Sequence, residues 1–388
     1  MRIVHIITRL IVGGAQENTL LSCEGQHRHG HDVTLITGPP VGPEGSLMAR
    51  ARAGGYGVEV IEALGRSIGP IKDWRSFGQL VERLRELRPD VVHTHSSKAG
   101  ILGRRAARRA GVGVVIHTIH GLAFTASRWR VVNYAYKVAE RRAAPLANRI
   151  VCVADAMRDM SLAAGIGVPQ QYVTIYSGMA TQAFLAPPVE RDLVRQRLGI
   201  SEDQVVVGTI ARLFHLKGHE DLLEMAPELC RRYAKLRFLW IGDGILRQPF
   251  ERQMSQMGLR DRFILSGLVE PERIPELTAA MDLLVHPSRR EGLARALPQA
   301  ALAGKPVITY DIDGAAEGLQ DGISGFLIRP FDKARLAEAM RSLLDDAQKR
   351  HTMGLAGRAF ALGRFDADVM VDALETLYRR EMSAGIVV

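Results

Sequence analysis

The sequence predicts an α/β protein made of two doubly wound, Rossmann-like domains that face each other across a cleft. Short apolar runs alternate with helical patterns twice along the chain, and the Pro-rich stretch TQAFLAPPVERD, residues 181–192, separates the two series. A length of 388 residues also suits two domains. Alternation of this kind indicates parallel strands joined by crossover helices, with ligands bound beyond the carboxyl ends of the strands.

Six strands are predicted in the first half, and their Val/Ile runs suit strands that are buried on both faces. They are RIVHIIT, DVTLIT, VEVIEA, VVHTH, VVIHTIH and RIVCVA, and the helical patterns between them cover residues 16–29, 73–87 and 100–110. The first domain is predicted to span residues 1–182.

The second half repeats the alternation. Its predicted strands are VVVGTIA, RFLWIG, RFILSG, LLVHPS, PVITY and GFLIRP. Its predicted helices cover residues 220–233, 246–257, 274–280, 297–303, 333–345 and 366–382. The second domain is predicted to span 183–365, and a final helix within 366–388 is predicted to pack back on the first domain.

The net charge of +9 is concentrated in the first domain. Between Lys98 and Arg149 there are eleven Lys and Arg residues and one acid, Glu140. Such a basic window is either a solvated face or a surface that meets the phosphates of an anionic membrane, a lipid-diphosphate substrate or a nucleic acid. Its few aromatic residues fit no RNA-binding strand motif, so nucleic acid is disfavoured.

The cysteines and the apolar runs predict a cytoplasmic protein. Cys23, Cys152 and Cys230 are far apart and odd in number, which suits neither a disulfide framework nor a metal knuckle. No apolar run approaches the roughly 20 residues that a membrane-spanning helix needs.

Glycines and histidines stand where predicted strands of the first domain end. Gly13 and Gly14 follow the first strand; glycine lets backbone N–H groups approach a phosphate or sugar, although a plain turn explains the pair as well. His117 and His120 end VVIHTIH, and VVHTH holds two more histidines. No acid or cysteine stands at ligand spacing with them, so hydrogen bonding to a sugar is favoured over a metal site.

Charged residues and glycines mark strand ends in the second domain. Arg212 and Lys217 flank the loop after VVVGTIA, where two cations suit a diphosphate clamp or are merely solvated. Gly244 belongs to a strand–Gly-x-Gly–helix pattern that is weak by itself. Asp311-x-Asp313 has the form of a metal-binding pair but suits a turn equally well, so no metal site is predicted.

Five pieces of the second half resemble, in the expected order, the family 4 glycosyltransferases, the retaining sugar transferases of the GT-B fold. They are GTIARLFHLKGHEDLL, WIGDGILR, FILSGLVEPERIPEL, MDLLVHPSRREGLARALPQAALAGKPVIT and DGISGFLIRP. The first half adds GGAQ, DVVHTHSSKAGILGRRAARRAG and HTIHG. The resemblance therefore covers most of the chain.

The resemblance implies transfer of a hexose or N-acetylhexosamine from a nucleotide-diphosphate sugar, with a UDP-sugar as the usual donor. The implied acceptor is a glycan or a lipid-linked glycan in cell-surface polysaccharide synthesis, and no cofactor is implied. The matching positions are Gly13 and Gly14 for donor phosphate and acceptor, His120 near the donor sugar, Arg212 and Lys217 for the diphosphate, Glu291 for the sugar, and Gly292, Leu293, Ala294 and Arg295 for sugar and phosphate, with Gly244 as a further substrate contact.

The chemistry expected of such a site needs no covalent nucleophile. The hard step is departure of the diphosphate, so the protein assists by stabilising negative charge on the leaving group. Arg212, Lys217 and a helix N-terminus near residues 295–298 are the expected sources of that stabilisation.

The first domain of this fold holds the acceptor, so its basic window predicts an anionic, lipid-diphosphate-linked acceptor at the inner membrane face. Residues 124–144 are predicted to form an amphipathic helix that docks on that anionic surface, which would make the protein peripheral to the membrane.

Two positions depart from the family pattern. Gln299 stands where a second acid usually binds the ribose, although an amide still donates to and accepts from a diol. Ser177-Gly178-Met179-Ala180 stands where an Asn-Gly-x-Asp element is expected. Two other functions stay open: a nucleotide-sugar 2-epimerase of the same fold, and a non-catalytic sugar-nucleotide-binding subunit.

Overall fold

The computed structural model describes residues 1–40, 45–124 and 129–384, and the chain divides into two compact units. One unit contains Met1–Met179 and the chain from Asp366 onward, and the other contains Ala180–Phe365. The chain therefore leaves the first unit once and returns to it near its end.

Seven parallel strands form the sheet of the first unit, in the order β3-β2-β1-β4-β5-β6-β7. They are β1 (Arg2–Ile7), β2 (Asp32–Thr37), β3 (Gly57–Val60), β4 (Val91–His95), β5 (Val114–Ile119), β6 (Arg149–Cys152) and β7 (Tyr172–Thr174). The strand order reverses between β1 and β4, and such a switch point opens a crevice at the carboxyl ends of the strands.

Six helices of the first unit connect these strands. They are α1 (Gly14–Arg28), α2 (Met48–Ala53), α3 (Pro70–Leu87), α4 (Ser97–Arg109), α5 (Arg130–Ala143) and α6 (Asp155–Ala163). Helix α5 lies within the segment 124–144 that was predicted to be helical, of which residues 125–128 lie outside the described part of the chain. The predicted first helix begins two residues earlier than expected, at Gly14.

Six parallel strands form the sheet of the second unit, in the order β10-β9-β8-β11-β12-β13. They are β8 (Val205–Ile210), β9 (Leu236–Ile241), β10 (Phe263–Leu265), β11 (Leu283–His286), β12 (Val307–Tyr310) and β13 (Gly325–Ile328). Its helices are α7 (Thr181–Leu185), α8 (Arg191–Arg197), α9 (His219–Arg232), α10 (Arg247–Gln256), α11 (Ile274–Ala279), α12 (Ala296–Leu302), α13 (Lys333–Asp345) and α14 (Ala347–Ala361).

The last helix, α15 (Ala367–Ala384), belongs to the first unit. It packs against α1 and β5, and Val371 lies so close to Gly25 of α1 that a Cβ there would come within 2.5 Å of it. Leu374 and Tyr378 are buried in the same core as strand residues of β1, β4 and β5. The sheet of the first unit is therefore covered in part by chain that follows the whole second unit.

Apolar core residues pack against both faces of each sheet, which is the doubly wound arrangement that the sequence predicts. None of the helices in the described residues combines the length and hydrophobicity needed to cross a membrane.

Candidate functional site

Two loops interlock at the carboxyl ends of β8 and β11, the central strands of the second unit. Gly218 has a left-handed backbone (φ 76°), and a Cβ on it would lie 1.9 Å from the Pro287 carbonyl oxygen. The neighbouring Leu216 is also left-handed (φ 70°), which is costly for a residue with a Cβ. The Arg289 N–H donates to the Leu216 carbonyl at 2.8 Å, so each loop fixes the other.

This interlock brings together Lys217 and Glu291, which are far apart in the sequence. The Lys217 ammonium lies 2.5 Å from Glu291 Oε1, and His286 Nε2 lies 3.2 Å from the same oxygen. Burial by itself would raise the pKa of Glu291, but Lys217 and His286 outweigh it and hold that pKa well below its ordinary value. The site thus presents a carboxylate that is ionised near neutral pH beside a lysine.

Asp313 supports the Glu291 loop from the next strand end. Its carboxylate accepts the Glu291 N–H at 2.8 Å, and the Gly314 N–H donates to the Gly292 carbonyl at 3.0 Å. Asp313 itself is left-handed (φ 46°), and burial raises the pKa of its carboxyl. Asp313 of the Asp311-x-Asp313 pair therefore holds in place the segment from Glu291 to Arg295, which the family resemblance assigns to sugar and phosphate. We call this segment the sugar-contact loop.

Three other predicted site residues of the second unit, Arg212, Gly244 and Gln299, differ in their exposure and in what they contact. Arg212 is exposed, with its guanidinium 5.6 Å from the centre of the Phe214 ring. Gly244 passes so close to the loop after β8 that a Cβ would meet the Leu213 carbonyl oxygen at 2.3 Å. Gln299 is nearly buried on α12.

The loop from Gly292 to Arg295 leads from Glu291 into α12. Leu293 and Ala294 are nearly buried, and Ala294 packs in the core of the second unit, so this loop is held firmly against the sheet. Helix α12 begins at Ala296, within the predicted region, and is seven residues long.

In the first unit, the strand ends at the switch point are joined by hydrogen bonds. Gly13 caps α1, and Gly14 is its first residue. Ser96, directly after β4, has a left-handed backbone (φ 61°), and its hydroxyl lies 2.8 Å from that of Thr8, which follows β1. The N–H of Ala99 in α4 donates to the same Thr8 oxygen. Strain of this kind is characteristic of ligand-binding loops.

The two histidines of VVIHTIH differ in environment. His120 is half-buried at the end of β5, and its Nε2 lies 3.1 Å from Nδ1 of His95. His117 is 2% exposed and packs beneath Gly100 of α4, where it contacts Thr94. Only His120 is therefore placed to reach a ligand.

A group of three potential metal ligands lies in the first unit: His5, His93 and His95, all fully buried. Each of their six ring nitrogens has a hydrogen-bond partner in another side chain. Hydrogen bonding accounts for the cluster as it stands, and an ion there would have to displace those partners.

Sequence reasoning gave no supporting role to His286 or Asp313, and it did not single out His5 and Gln26, which lie behind His120. His286 and Asp313 were quoted within motifs at strand ends, and that position was the signal available for them. His95, the partner in contact with His120, was noted in VVHTH at a strand end, but His5 gave no such signal, because an isolated histidine in β1 looks like any strand residue.

Comparison with known proteins agrees with this architecture. The sequence model of the family "Glycosyltransferase Family 4" matches residues 12–183, and that of "Glycosyl transferases group 1" matches residues 190–360. An Escherichia coli protein named UDP-Gal:alpha-D-GlcNAc-diphosphoundecaprenol alpha-1,3-galactosyltransferase is 29% identical, over 97% of this chain and 96% of its own. Alpha-D-kanosaminyltransferase of Streptomyces kanamyceticus is also 29% identical, over 77% of this chain and 79% of its own.

A solved structure extends the agreement to the fold. The Anabaena protein HepE, crystallised with UDP, superposes with a TM-score of 0.81 at 25% identity and covers 98% of this chain and 100% of its own. The two doubly wound units are those of a GT-B enzyme. The chain belongs to the family 4 glycosyltransferases, and its activity is the transfer of a sugar from a nucleotide-sugar donor.

Proposed function

We propose that this enzyme moves a hexose or N-acetylhexosamine from a UDP-sugar to a lipid-diphosphate-linked glycan, with retention at the anomeric carbon. The Lys217–Glu291 pair at the strand ends carries the proposal, because it sets a cation for a diphosphate beside a carboxylate for sugar hydroxyls. The donor and acceptor classes are supported by the activity for which the Escherichia coli relative is named and by the UDP bound to HepE.

In this mechanism Lys217 donates to the leaving diphosphate while Glu291 holds both the lysine and the sugar. An ammonium has three N–H groups, so the bond to Glu291 leaves donors for phosphate oxygens. Charge that develops on the diphosphate is stabilised most by donors already fixed in place. We assign Arg212 to the same diphosphate, the loop Gly292–Arg295 and Gly244 to the donor, and Gln299 to the ribose.

We assign the first unit to the acceptor, with Gly13 and Gly14 near phosphate and His120 at the transferred sugar. The left-handed Ser96 and the capping position of Gly13 support a ligand site at these strand ends. We assign the charge stabilisation that departure of the diphosphate needs to Lys217 and Arg212, so the proposed reaction is written without a cofactor.

The basic window from Lys98 to Arg149 has fewer cations available for docking than its sequence suggests. Five of the Lys and Arg side chains described there form ion pairs or hydrogen bonds with other residues of the chain. Those are Lys98 with Asp73, Arg104 with Glu140, Arg108 with Asn148, Arg141 with the Ala164 carbonyl, and Arg149 with Glu381. Exposed arginines remain on α4 and α5, which contact each other: Arg105, Arg109, Arg130 and Arg142.

We propose that α5 docks on an anionic membrane. Trp129, Val131 and Tyr134 are exposed at its first turns, beside Arg130. Exposed aromatic and aliphatic side chains next to arginine are what an interfacial helix presents to lipid headgroups and acyl chains. We expect the enzyme to sediment with vesicles containing about one-third phosphatidylglycerol and not with phosphatidylcholine vesicles.

A double variant tests the docking. Trp129→Ser with Val131→Ser should abolish sedimentation, whereas Leu355→Ser, which removes an exposed side chain from α14 of the second unit, should not. Equal and negligible sedimentation with both kinds of vesicle would exclude a membrane-bound acceptor site on α5.

A donor screen tests the proposed reaction. Nucleotide release from UDP- and GDP-sugars is measured with and without membrane extract, and the expected result is UDP release that depends on the extract. Formation of an epimer from UDP-GlcNAc alone would identify a 2-epimerase. Tight binding of UDP, with no hydrolysis of any nucleotide sugar and no sugar transfer, would identify a non-catalytic subunit.

A further inference from the structure

A line of hydrogen-bonded side chains runs from His120 into the interior of the first unit. His120 Nε2 lies 3.1 Å from His95 Nδ1, and His95 Nε2 lies 2.9 Å from His5 Nδ1. His5 Nε2 lies 2.8 Å from Oε1 of Gln26 on α1. His5, His95 and Gln26 are fully buried, so water does not compete for these bonds.

The direction of the hydrogens along this line follows from its inner end. The amide oxygen of Gln26 can only accept, so His5 carries its hydrogen on Nε2. A neutral imidazole has one hydrogen, so His5 Nδ1 accepts from His95 Nε2–H, and His95 Nδ1 in turn accepts from His120 Nε2–H. Burial lowers the pKa of His5 to about 4, and burial and nearby histidines lower the pKa of His95 as well, so both rings are neutral near pH 7.

The other end of the Gln26 amide contacts a residue of the last helix. Gln26 Nε2 donates to the Tyr378 hydroxyl at 3.4 Å, and that hydroxyl lies 2.5 Å from Nδ1 of His93. His93 Nε2 lies 2.6 Å from the Thr118 hydroxyl. Tyr378 can therefore accept from Gln26 and donate to His93, so every bond in the line runs in one direction.

We propose that Gln26, His5 and His95 are positioning residues that hold His120 in the tautomer with its hydrogen on Nε2, and that Tyr378 supports the Gln26 amide by accepting from its Nε2–H. His120 then presents Nδ1 as a hydrogen-bond acceptor, which suits a sugar hydroxyl and not a phosphate oxygen. The inference deepens the proposed function, because it rests on the assignment of His120 to the transferred sugar.

The reason for such a line is that an isolated imidazole exchanges its hydrogen between the two nitrogens. A histidine that must accept at one nitrogen gains from a partner that accepts at the other. Here the partner of His120 is another histidine, and either of its ring nitrogens can carry the hydrogen. The tautomer therefore depends on the Gln26 amide at the inner end of the line, which has an oxygen that accepts on one side and an NH2 group that donates on the other. Reversal of the Gln26 amide would reverse every bond and leave His120 as a donor.

The tautomer of His120 is the direct test, measured on the purified full chain with ¹⁵N-labelled histidine. The His120 signals are assigned by their loss in His120→Gln. In the wild type we expect the Nε2–H form to dominate. Dominance of the Nδ1–H form would overturn the proposal.

Two variants test the direction, with one matched control. Gln26→Leu removes the acceptor at the inner end, and Tyr378→Phe removes the hydroxyl to which the Gln26 amide donates while it keeps the ring. Each variant should give a mixture of His120 tautomers. Each should also lower kcat by about tenfold, because that is the size expected for the loss of one hydrogen bond to a reacting group, and should leave the KM for the donor unchanged. Ser22→Ala, which alters a buried hydroxyl of the same helix α1, should change neither.

The tautomer measurement needs no substrate, so it separates this inference from the proposed function. If no donor supports transfer, the proposed function fails while the tautomer still decides whether the line has the stated direction. A tautomer that shifts in both variants with unchanged kcat would overturn the positioning role. An unshifted tautomer in both would show that the line does not control His120.

Discussion

At the scale of single residues, Lys217 and Glu291 depend on each other. Glu291 Oε1 accepts from both Lys217 and His286, so removal of the lysine leaves the carboxylate with one of its two charged or polar partners. The Glu291 side chain retains 18% exposure, so water can replace part of what is lost. A change at Lys217 should therefore affect the reaction more than the fold.

Lys217→Ala is expected to lower turnover by about ten- to a hundredfold, since a charge-assisted bond to the leaving group contributes roughly 1.5–3 kcal/mol. Nucleotide release with the best donor measures turnover, and thermal unfolding measures stability. Lys235→Ala is the control, because Lys235 also pairs with an acid in the second unit but is 66% exposed. Turnover of Lys217→Ala within about threefold of wild type would remove the lysine from the diphosphate site.

Glu291→Gln is expected to cut sugar transfer and to remove a pH-dependent part of the stability. Because the pKa of Glu291 is lower in the folded than in the unfolded chain, its carboxylate stabilises the fold above about pH 4.5, and this stabilisation is lost as the pH falls toward the folded-state pKa. The difference in unfolding free energy between wild type and variant should thus be larger at pH 7 than near pH 3.5.

Urea unfolding at the two pH values measures that difference. The control is Glu228→Gln, because Glu228 is 66% exposed and pairs only at the surface. A difference between wild type and Glu291→Gln that stayed constant or grew on acidification would contradict the lowered pKa. Unchanged donor kinetics would separate Glu291 from the sugar.

At the scale of elements, α12 joins the sugar-contact loop to the position of Gln299. Eight residues separate Glu291 from Gln299, and the last four of that step lie on α12. We assign the near end to the transferred sugar and the far end to the ribose. Gln299 is only 8% exposed, so a ligand that reaches it must enter a fitted site.

Gln299→Glu is expected to lower the KM for the nucleotide sugar by up to about tenfold, because a carboxylate accepts from two ribose hydroxyls more strongly than an amide does. Titration with UDP checks whether the gain lies in the nucleotide. Gln256→Glu, at the end of α10, provides a surface control of the same chemistry. Loss of activity in Gln299→Glu would mean that the amide serves another ligand.

The elements also show which parts of the fold a sequence can predict. Buried Val/Ile strands were predicted because both faces of a parallel sheet are covered. Helix α14 was missed because Gly354 and Gly357 lie on its buried face, which packs closely against α12 and the following turn, so large apolar residues do not recur at helical spacing. Strand β7 has three residues, too few for a pattern.

For the site, the rule that ligands bind at strand ends predicted the position of Lys217 and the family resemblance that of Glu291, but neither predicted their contact. Their pairing depends on the interlock of Gly218 with Pro287, which no local pattern reveals. The line behind His120 is harder still to predict, since it joins β1, β4, α1 and α15 across most of the chain.

At the scale of the whole molecule, the return of the chain to the first unit makes residues near its end part of the first sheet's core. Glu375 of α15 accepts from His29, just after α1, and its second oxygen lies 3.3 Å from His31 Nε2, while Tyr378 reaches Gln26 and His93. Burial would raise the pKa of Glu375, but these histidines lower it below its ordinary value. The last helix thus supports both the stability of the first unit and the line of side chains that leads to His120.

Leu374→Ala is expected to destabilise the first unit by about 2–5 kcal/mol, because Leu374 is 3% exposed in the core shared by α15 and the first sheet. Hydrogen exchange followed by mass spectrometry should show faster exchange in α1 and β5, which α15 contacts, than in β8 and β9 of the second unit. Val369→Ala, on the same helix but 47% exposed, should change exchange little, with a cost within about 0.5 kcal/mol. Equal acceleration in both units would mean that the chain unfolds as one body, and unchanged exchange in α1 would mean that α15 does not stabilise the first unit.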